Sequence, residues 1–416
     1  MSLARFGYTL LLYLLLPRVA VHLLLRARKQ PAYLRHLGER FGFYREDARA
    51  PVLWIHAVSV GETRAAQPLI ESLRRSHPGH RILLTHMTPT GRETGEQLFG
   101  DTVTRCYLPY DFPFAVRRFL DHFAPVAGVL METEIWFNLI DACRQRRIPL
   151  YLGNARLSER SHRRYARVAR LARISLRGLA AIAAQSEADA ERLRSLGAEA
   201  PVVTGNVKFD ISPPAPLLQL GRRWREDFGA ERPVLLAAST REGEETLLLD
   251  ALDRLEVARA LLVIVPRHPQ RFDEVAQLLE QRAISFQRRS AATRVAPGVR
   301  VLLGDSMGEM FAYYAACDLA FIGGSLLPYG GQNLIEACAA GAPVIVGPYV
   351  YNFEEAARLA VDAGAALQVE DAPQAMREAT RLLRDTAARR AMAQAGIDFS
   401  RRHQGATERL LALLRF

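Results

Sequence analysis

Asp318-Leu319-Ala320-Phe321-Ile322-Gly323-Gly324-Ser325 leads within a few residues to Gly330-Gly331-Gln332-Asn333-Leu334-Ile335-Glu336-Ala337. The first half reads as a buried strand, the middle as a glycine-rich loop, the end as the start of a helix. Glycines there let backbone N–H groups approach a ligand, and a helix start favours negative charge. Glu336, about one turn into that helix, is out of place beside a phosphate but suits the hydroxyls of an attached sugar. The pair suggests a nucleotide held by phosphate and ribose; the plain alternative is a tight connection with an ordinary first-turn glutamate.

The same strand–loop–helix alternation runs both ways from this stretch. Upstream of a break at Ser212-Pro213-Pro214-Ala215-Pro216, strands are expected at Val52–His56, Ile82–Thr85, Val126–Met131, Ile148–Leu152, Ala180–Ala184 and Val202–Thr204, with helices at Ala65–Ser76 and Trp136–Arg147. Beyond the break, strands are expected at Val234–Ala238, Ala260–Val265, Val301–Leu303, Leu319–Ile322 and Pro343–Val346, with a helix at Glu244–Val257 and helices from Pro373 to Phe416. This is the pattern of parallel sheets covered by helices, in two α/β halves joined by a short linker. Ligands of such sheets bind beyond the C-terminal strand ends, so a cleft between the halves is the expected site.

Composition narrows the classes. The 416 residues exceed one ordinary core, and 49% hydrophobic with 24% charged residues is globular. The net charge of +11 calls for an anionic partner: a membrane surface, a nucleic acid or a phosphorylated substrate. Cys106, Cys143, Cys317 and Cys338 are scattered without a Cys-x-x-Cys, and the ten histidines form no His-x-x-x-His pair. These spacings argue against a disulfide scaffold and against a zinc site, with Cys106, Cys317 and Cys338 expected as small core residues. Residues Phe6 to Leu25 are nearly all apolar, interrupted by Pro17, Arg18 and His22, then followed by Arg26-Ala27-Arg28-Lys29 and a polar stretch from Gln30 to Arg49. The run is borderline for crossing a bilayer and sufficient for anchoring. The cations after it belong on the cytoplasmic side. A buried apolar helix is the alternative.

The chemistry-bearing loops follow strands. In His56-Ala57-Val58-Ser59-Val60-Gly61-Glu62-Thr63 a turn at Gly61 precedes a helix near Glu62, whose carboxylate the helix start would keep ionised for work as a base. Met131-Glu132-Thr133-Glu134-Ile135-Trp136 sets two carboxylates after a strand, as site groups or as helix caps through Thr133 and Glu134. Lys208, in Thr204–Asp210, lies between a strand and the linker. Val265-Pro266-Arg267-His268-Pro269 offers Arg267 for a bidentate phosphate contact. Asp305–Met310 and Ala238–Glu244 follow two more strands, and Gly308 permits close backbone approach. From Arg156 to Arg177 eight arginines stand against Glu159 alone, at spacings that would make one helical face cationic; Arg163, Arg164 and Arg167 are its centre.

Taken together these residues resemble the 3-deoxy-D-manno-octulosonic acid (Kdo) transferases of Gram-negative bacteria. The resemblance spans the whole chain: the apolar N-terminus, His56–Thr63, Thr88–Gly91, Leu108–Asp111, Met131–Trp136, Asn154–Ser158, Lys208–Asp210, Pro266–Pro269, Met307–Glu309 and Gly323–Glu336. It implies a B-type glycosyltransferase fold of two Rossmann-like domains. Residues 1–29 would be the anchor, 30–211 the acceptor domain, 217–395 the CMP-sugar domain, and 396–416 a helix packing back on the acceptor domain. It implies inverting transfer of Kdo from CMP-Kdo to the lipid A precursor, without metal or other cofactor, on the cytoplasmic face of the bacterial inner membrane and with no nucleic acid partner. By the resemblance, Glu62 is the proton acceptor, Glu132 and Lys208 stabilise the transition state, and CMP is held by Pro266, Arg267, Met307, Gly308, Glu309, Asn333, Leu334, Ile335 and Glu336. The chain departs from the pattern at Phe137, where Pro is frequent, and at Gln332, where His is common. A sugar-nucleotide epimerase or a transferase using a UDP-sugar is the enzyme alternative. A basic nucleic-acid- or membrane-binding protein is the alternative of another class; binding nucleic acid would explain the charge but not the apolar N-terminus or the carboxylate-bearing loops.

Overall fold

The computed structural model describes residues 3–45 and 51–415, without the side chains of Ala20, His22 and Lys29. The first two residues of the expected anchor, the end of the polar stretch and Phe416 lie outside them. The chain divides into two compact units, residues 1–210 with 404–416, and residues 211–403.

The first unit holds seven parallel strands: β1 (Val52–His56), β2 (Arg81–His86), β3 (Thr104–Tyr107), β4 (Pro125–Met131), β5 (Leu150–Ala155), β6 (Ala181–Ala184) and β7 (Val202–Val203), in the order β3-β2-β1-β4-β5-β6-β7. The second holds β8 (Val234–Thr240), β9 (Leu261–Pro266), β10 (Phe286–Arg288), β11 (Val301–Leu303), β12 (Leu319–Ile322), β13 (Val344–Val346) and β14 (Ala366–Gln368), in the order β10-β11-β9-β8-β12-β13-β14. Strands such as β1 and β9 are buried along their whole length, because helices cover both faces of a parallel sheet. One apolar cluster around Trp54, Phe119 and Leu139 and another around Leu53, Leu69 and Leu84 sandwich the first sheet. Each sheet reverses its strand order once, between β1 and β4 and between β8 and β12, which opens a crevice at the carboxyl ends of those strands.

Several elements differ from expectation. The stretch Ala65–Ser76 is two helices, Val60–Ala65 and Gln67–Ser76, because Pro68 lacks the N–H a continuous helix needs and sits in a new first turn instead. Helix Val60–Ala65 begins before Gly61, so the turn lies at Val58–Ser59. Glu244–Val257 is helical only to Asp250 before a short 3-10 turn. The arginine-rich run is also two helices, Glu159–Ala166 and Ala169–Leu176. The second buries Leu171, Ala172, Ser175 and Leu176, while the first buries nothing, so no single cationic face runs from Arg156 to Arg177. Cys106, Cys143 and Cys338 are buried; Cys317 is only partly so.

Helix Leu3–Lys29 leaves Leu10, Leu11, Leu14, Leu24 and Leu25 at least half exposed. Ala4, Arg5, Tyr8, Thr9 and Leu12 are the less exposed residues of its first turns, at the spacing of one helical face. At the far end, Asp210 accepts the Gly405 N–H at 2.6 Å and also those of Ala406 and Thr407, which fixes helix Ala406–Leu413 to the first unit.

Candidate functional site

In the first unit the reversal point carries the carboxylates. Ser59-Val60-Gly61-Glu62 has the spacing of a capping box. Glu62 reaches back so that Oε2 accepts the Val58 N–H at 2.8 Å, and Oε1 accepts the Ser59 hydroxyl at 3.1 Å. These donors and the helix start favour the charged form. They do not prevail: burial, then the neighbouring Glu132, with a smaller push from Glu134, raises Glu62 to about 8. The expectation that the helix start holds Glu62 ionised is therefore corrected, because the helix is only six residues long and the carboxyl is crowded by like charge.

Glu132 follows β4 with φ +60°, a left-handed conformation uncommon outside glycine, and one of the strained positions that cluster at functional sites. Its Oε1 lies 2.8 Å from Lys208 Nζ. Lys208 rides on a 3-10 turn, Val207–Phe209, whose placement is traceable. The Oδ1 of buried Asn154, itself at φ +52°, accepts the Val207 N–H at 3.1 Å, and Asn206 Oδ1 accepts the Lys208 N–H at 3.0 Å. Glu134 accepts the Trp136 indole N–H at 2.6 Å, and no side chain caps helix Phe137–Gln145 at Trp136, so Thr133 and Glu134 are not its caps. The structure thus groups Glu62, Glu132, Glu134 and Lys208. His56 and His86, at the ends of β1 and β2, are pushed down to about 3 and about 4, by burial first, and stay neutral as parts of the frame.

In the second unit the glycine-rich loop is closed upon itself. Gly324 N–H donates to Glu244 Oε2 at 2.5 Å and Leu326 N–H to Glu244 Oε1 at 2.9 Å, while Gly331 N–H meets Gly324 O at 2.7 Å and Gln332 N–H meets Gly323 O at 3.0 Å. A Cβ on Gly323 would lie 2.5 Å from Ser239 O. These glycines serve close approach of the chain to itself, and the N–H groups of Gly323, Gly324 and Gly331 are taken within the fold, so those three do not form the expected cradle. Glu244, fully buried, is the residue that sequence reasoning missed: its only signal was a glutamate just after the β8 loop.

Positive charge in this crevice comes from side chains. His268 is held below its usual range by burial, then by Arg241, Arg267 and Arg271, which places three guanidinium groups around one imidazole. Arg271 is paired with buried Glu245 at 3.0 Å, and Arg241 lies 4.6 Å from the Tyr329 ring centre. Pro266 is buried at the end of β9, and Arg267 follows it half-buried, its N–H donating to Thr240 O at 2.9 Å. Met307 is exposed, and Gly308 has φ +79° with open space where a Cβ would stand. Glu309 is held by Arg289 at 2.7 Å, whose guanidinium lies over Trp224. Asn333 caps the Ile335 N–H at 3.1 Å and donates to Glu336 Oε1 at 3.1 Å. Leu334 and Ile335 are buried, and the Ile335 N–H is already taken by Asn333. Helix Leu334–Ala339 has six residues, which makes its dipole a small contributor.

Arg163, Arg164 and Arg167 are exposed, and Arg163 pairs with Glu159 at 3.0 Å.

Comparison with known proteins agrees with this layout. Residues 35–211 match the family described as 3-Deoxy-D-manno-octulosonic-acid transferase (kdotransferase), and residues 236–399 match Glycosyl transferases group 1. The chain is 46% identical to the 3-deoxy-D-manno-octulosonic acid transferase of Bordetella pertussis across 98% of each chain. It is 38% identical to that of Haemophilus influenzae, across 99% of this chain and 98% of the other. Among solved structures, UDP-GlcNAc 2-epimerase from Neisseria meningitidis aligns with a TM-score of 0.58 at 18% identity, over 87% of this chain and 99% of that one. A glycosyltransferase from Rickettsia africae aligns with a TM-score of 0.58 at 14% identity, over 88% and 98%. At such identities the alignments establish the B-type glycosyltransferase fold alone, which an epimerase shares. The choice between epimerase and transferase rests on the sequence relatives.

Proposed function

The chain belongs to the 3-deoxy-D-manno-octulosonic acid transferase family and is a transferase enzyme; on that premise we propose that it moves Kdo from CMP-Kdo to the lipid A precursor, with inversion and without a metal. The observation that carries the mechanism is the grouping of Glu62 with the Glu132–Lys208 pair at the reversal point of the first sheet. A glucosamine hydroxyl attacks the anomeric carbon of Kdo while Glu62 accepts its proton. A carboxylate with its pKa near 8 is a stronger base than an ordinary one and titrates close to working pH. Lys208, held by Glu132, stabilises negative charge as the bond to CMP breaks. On the donor side, Arg267 and its neighbouring cations meet the phosphate, and Glu336 accepts from ribose hydroxyls. In this reading Pro266, Met307 to Glu309 and Asn333 to Ile335 frame the nucleotide. Residues 30–211 serve as the acceptor domain and 217–395 as the CMP-sugar domain. Residues 1–29 are the anchor, and 396–416 are the C-terminal helix region.

The N-terminal helix supports a location at the cytoplasmic face of the inner membrane. Leu3–Arg28 is long and apolar enough to cross a bilayer. Yet Tyr8 and Thr9 hydrogen-bond to the same unit that carries Glu62, so both helix ends lie on one side and the helix rests in the interface. Arg163, Arg164 and Arg167 add attraction to anionic headgroups.

The test is incubation with CMP-Kdo and tetraacylated lipid A precursor, with products weighed by mass spectrometry. The reading expects a product heavier by one or more Kdo units and released CMP. Transfer from a UDP-sugar but not from CMP-Kdo would refute it.

A further inference from the structure

Leu108–Asp111 has no part in the chemistry above, yet Asp111 is only 3% exposed and heavily bonded. Its Oδ2 accepts the Tyr8 hydroxyl at 3.0 Å and the Asn138 N–H at 2.9 Å, and its Oδ1 accepts the Leu139 N–H at 2.8 Å. Its backbone oxygen takes the Asn138 side-chain N–H at 2.7 Å. The first N–H groups of a helix have no partner within it. Asp111 satisfies two of those of helix Phe137–Gln145 from a distant part of the chain.

The N-terminal helix grips this same point. Besides Tyr8, Thr9 Oγ1 bonds the Asn138 side chain at 3.1 Å, the Tyr8 ring meets Phe137 edge-on at 4.9 Å, Tyr13 lies 5.0 Å from Phe112, and Arg5 pairs with Asp141. Phe137 is, with Gln332, one of the two positions where the chain departs from the pattern of the family it resembles. Glu132 to Trp136 is the short segment between the end of β4 and this helix start. Its backbone is held by Glu132 N–H to Gly153 O at one end and by Ile135 N–H to Thr133 O within. The helix start is thus joined to Glu132 by only four intervening residues, one end of which is fixed on the sheet at Gly153.

We propose that the N-terminal helix is a positioning element for the reaction as well as a membrane contact: Tyr8, through Asp111, fixes the helix start that aims the Glu132–Trp136 segment and so sets the Glu132–Lys208 pair. The inference rests on the role of Glu132 in the proposed transfer.

Tyr8→Phe removes one hydroxyl and keeps the ring on Phe137, so it tests the link with the least risk to folding. On detergent-dispersed acceptor, where membrane delivery no longer matters, kcat falls about tenfold, the scale of one hydrogen bond to a charged group. KM for CMP-Kdo stays within about twofold. In fluorotryptophan-labelled protein, the ¹⁹F resonance that disappears in Trp136→Phe moves in Tyr8→Phe. Asp111→Asn shifts that resonance in the same direction and lowers kcat further. Unchanged kcat with an unmoved Trp136 resonance in Tyr8→Phe overturns the proposal. So does loss of vesicle binding with full turnover in detergent, which makes the helix an anchor only. Glu132→Gln is measured alongside. If that variant keeps full activity, the role of Glu132 fails, while the Trp136 resonance still decides whether Tyr8 governs the segment.

Discussion

Where the strand order reverses, the first unit sets Glu62 and Glu134 beside the Glu132–Lys208 pair, whereas the second sets Arg241, Arg267 and Arg271 near one histidine, His268. The topology at the two points is alike, even to a left-handed residue at the carboxyl end of the central strand, Glu132 just after β4 at φ +60° and Ser239 in the last two residues of β8 at φ +56°. The charge is opposite. Burial first, then neighbouring carboxylates, raises the Glu62 carboxyl and makes a base, while burial first, then neighbouring guanidinium groups, lowers the His268 imidazole in a cluster suited to anions. The lesson is that one scaffold supplies two chemistries, and the loop residues alone choose between them.

The largest effect is expected from removing the base. Glu62→Gln lowers turnover about 10²–10⁴-fold while CMP affinity, a property of the other unit, stays unchanged; steady-state rates near wild type would break the comparison. Next in size is Arg267→Ala, which weakens CMP binding by calorimetry about tenfold or more, as loss of a charge-assisted contact does, with little change in kcat at saturating donor. If Arg267→Ala instead abolished kcat and spared CMP binding, the division of labour would be wrong.

The carboxylate cluster also has a stability signature. Glu62 titrates near 8 in the fold and near 4.5 in the unfolded chain. Between those values the unfolded chain sheds its proton while the folded chain keeps it. This contribution to stability is therefore full below about 4.5 and lost as pH rises toward 8. Glu62→Gln removes that dependence, so its thermal midpoint at pH 9 exceeds wild type by about 2–4 °C for each kcal/mol recovered, with a smaller difference at pH 5. Equal midpoints at both pH values would mean that Glu62 is not held protonated. The smallest effect concerns the periphery. Replacing Arg163, Arg164 and Arg167 together weakens binding to anionic vesicles, most at low salt, and leaves turnover on dispersed acceptor intact. Co-sedimentation equal to wild type would remove these arginines from the membrane surface.

Much of the fold was legible because buried parallel strands are continuous apolar runs. The unmarked strands, β3, β10 and β14, are edge strands whose half-exposed residues carry no such run. Glu62, Glu132 and Lys208 were visible as charged residues directly after strands. What linear reading did not reveal was how each is held. Asn154 holds Val207, the neighbour of Lys208, across 53 positions, Asp111 reaches Asn138 across 27, and Glu244 closes the glycine loop across 80. The glycines misled for a related reason: the same freedom that admits a ligand also lets the chain pack on itself, and only the geometry at Gly323 and Gly324 separates the two.

The central claim is that nucleotide and base belong to different units, and crystals soaked with cytidylate test it most directly. The account predicts density for the phosphate beside Arg267 and for the ribose beside Glu336, with none at Glu62. Cytidylate seated on Glu62 and Lys208, away from Arg267, would contradict it.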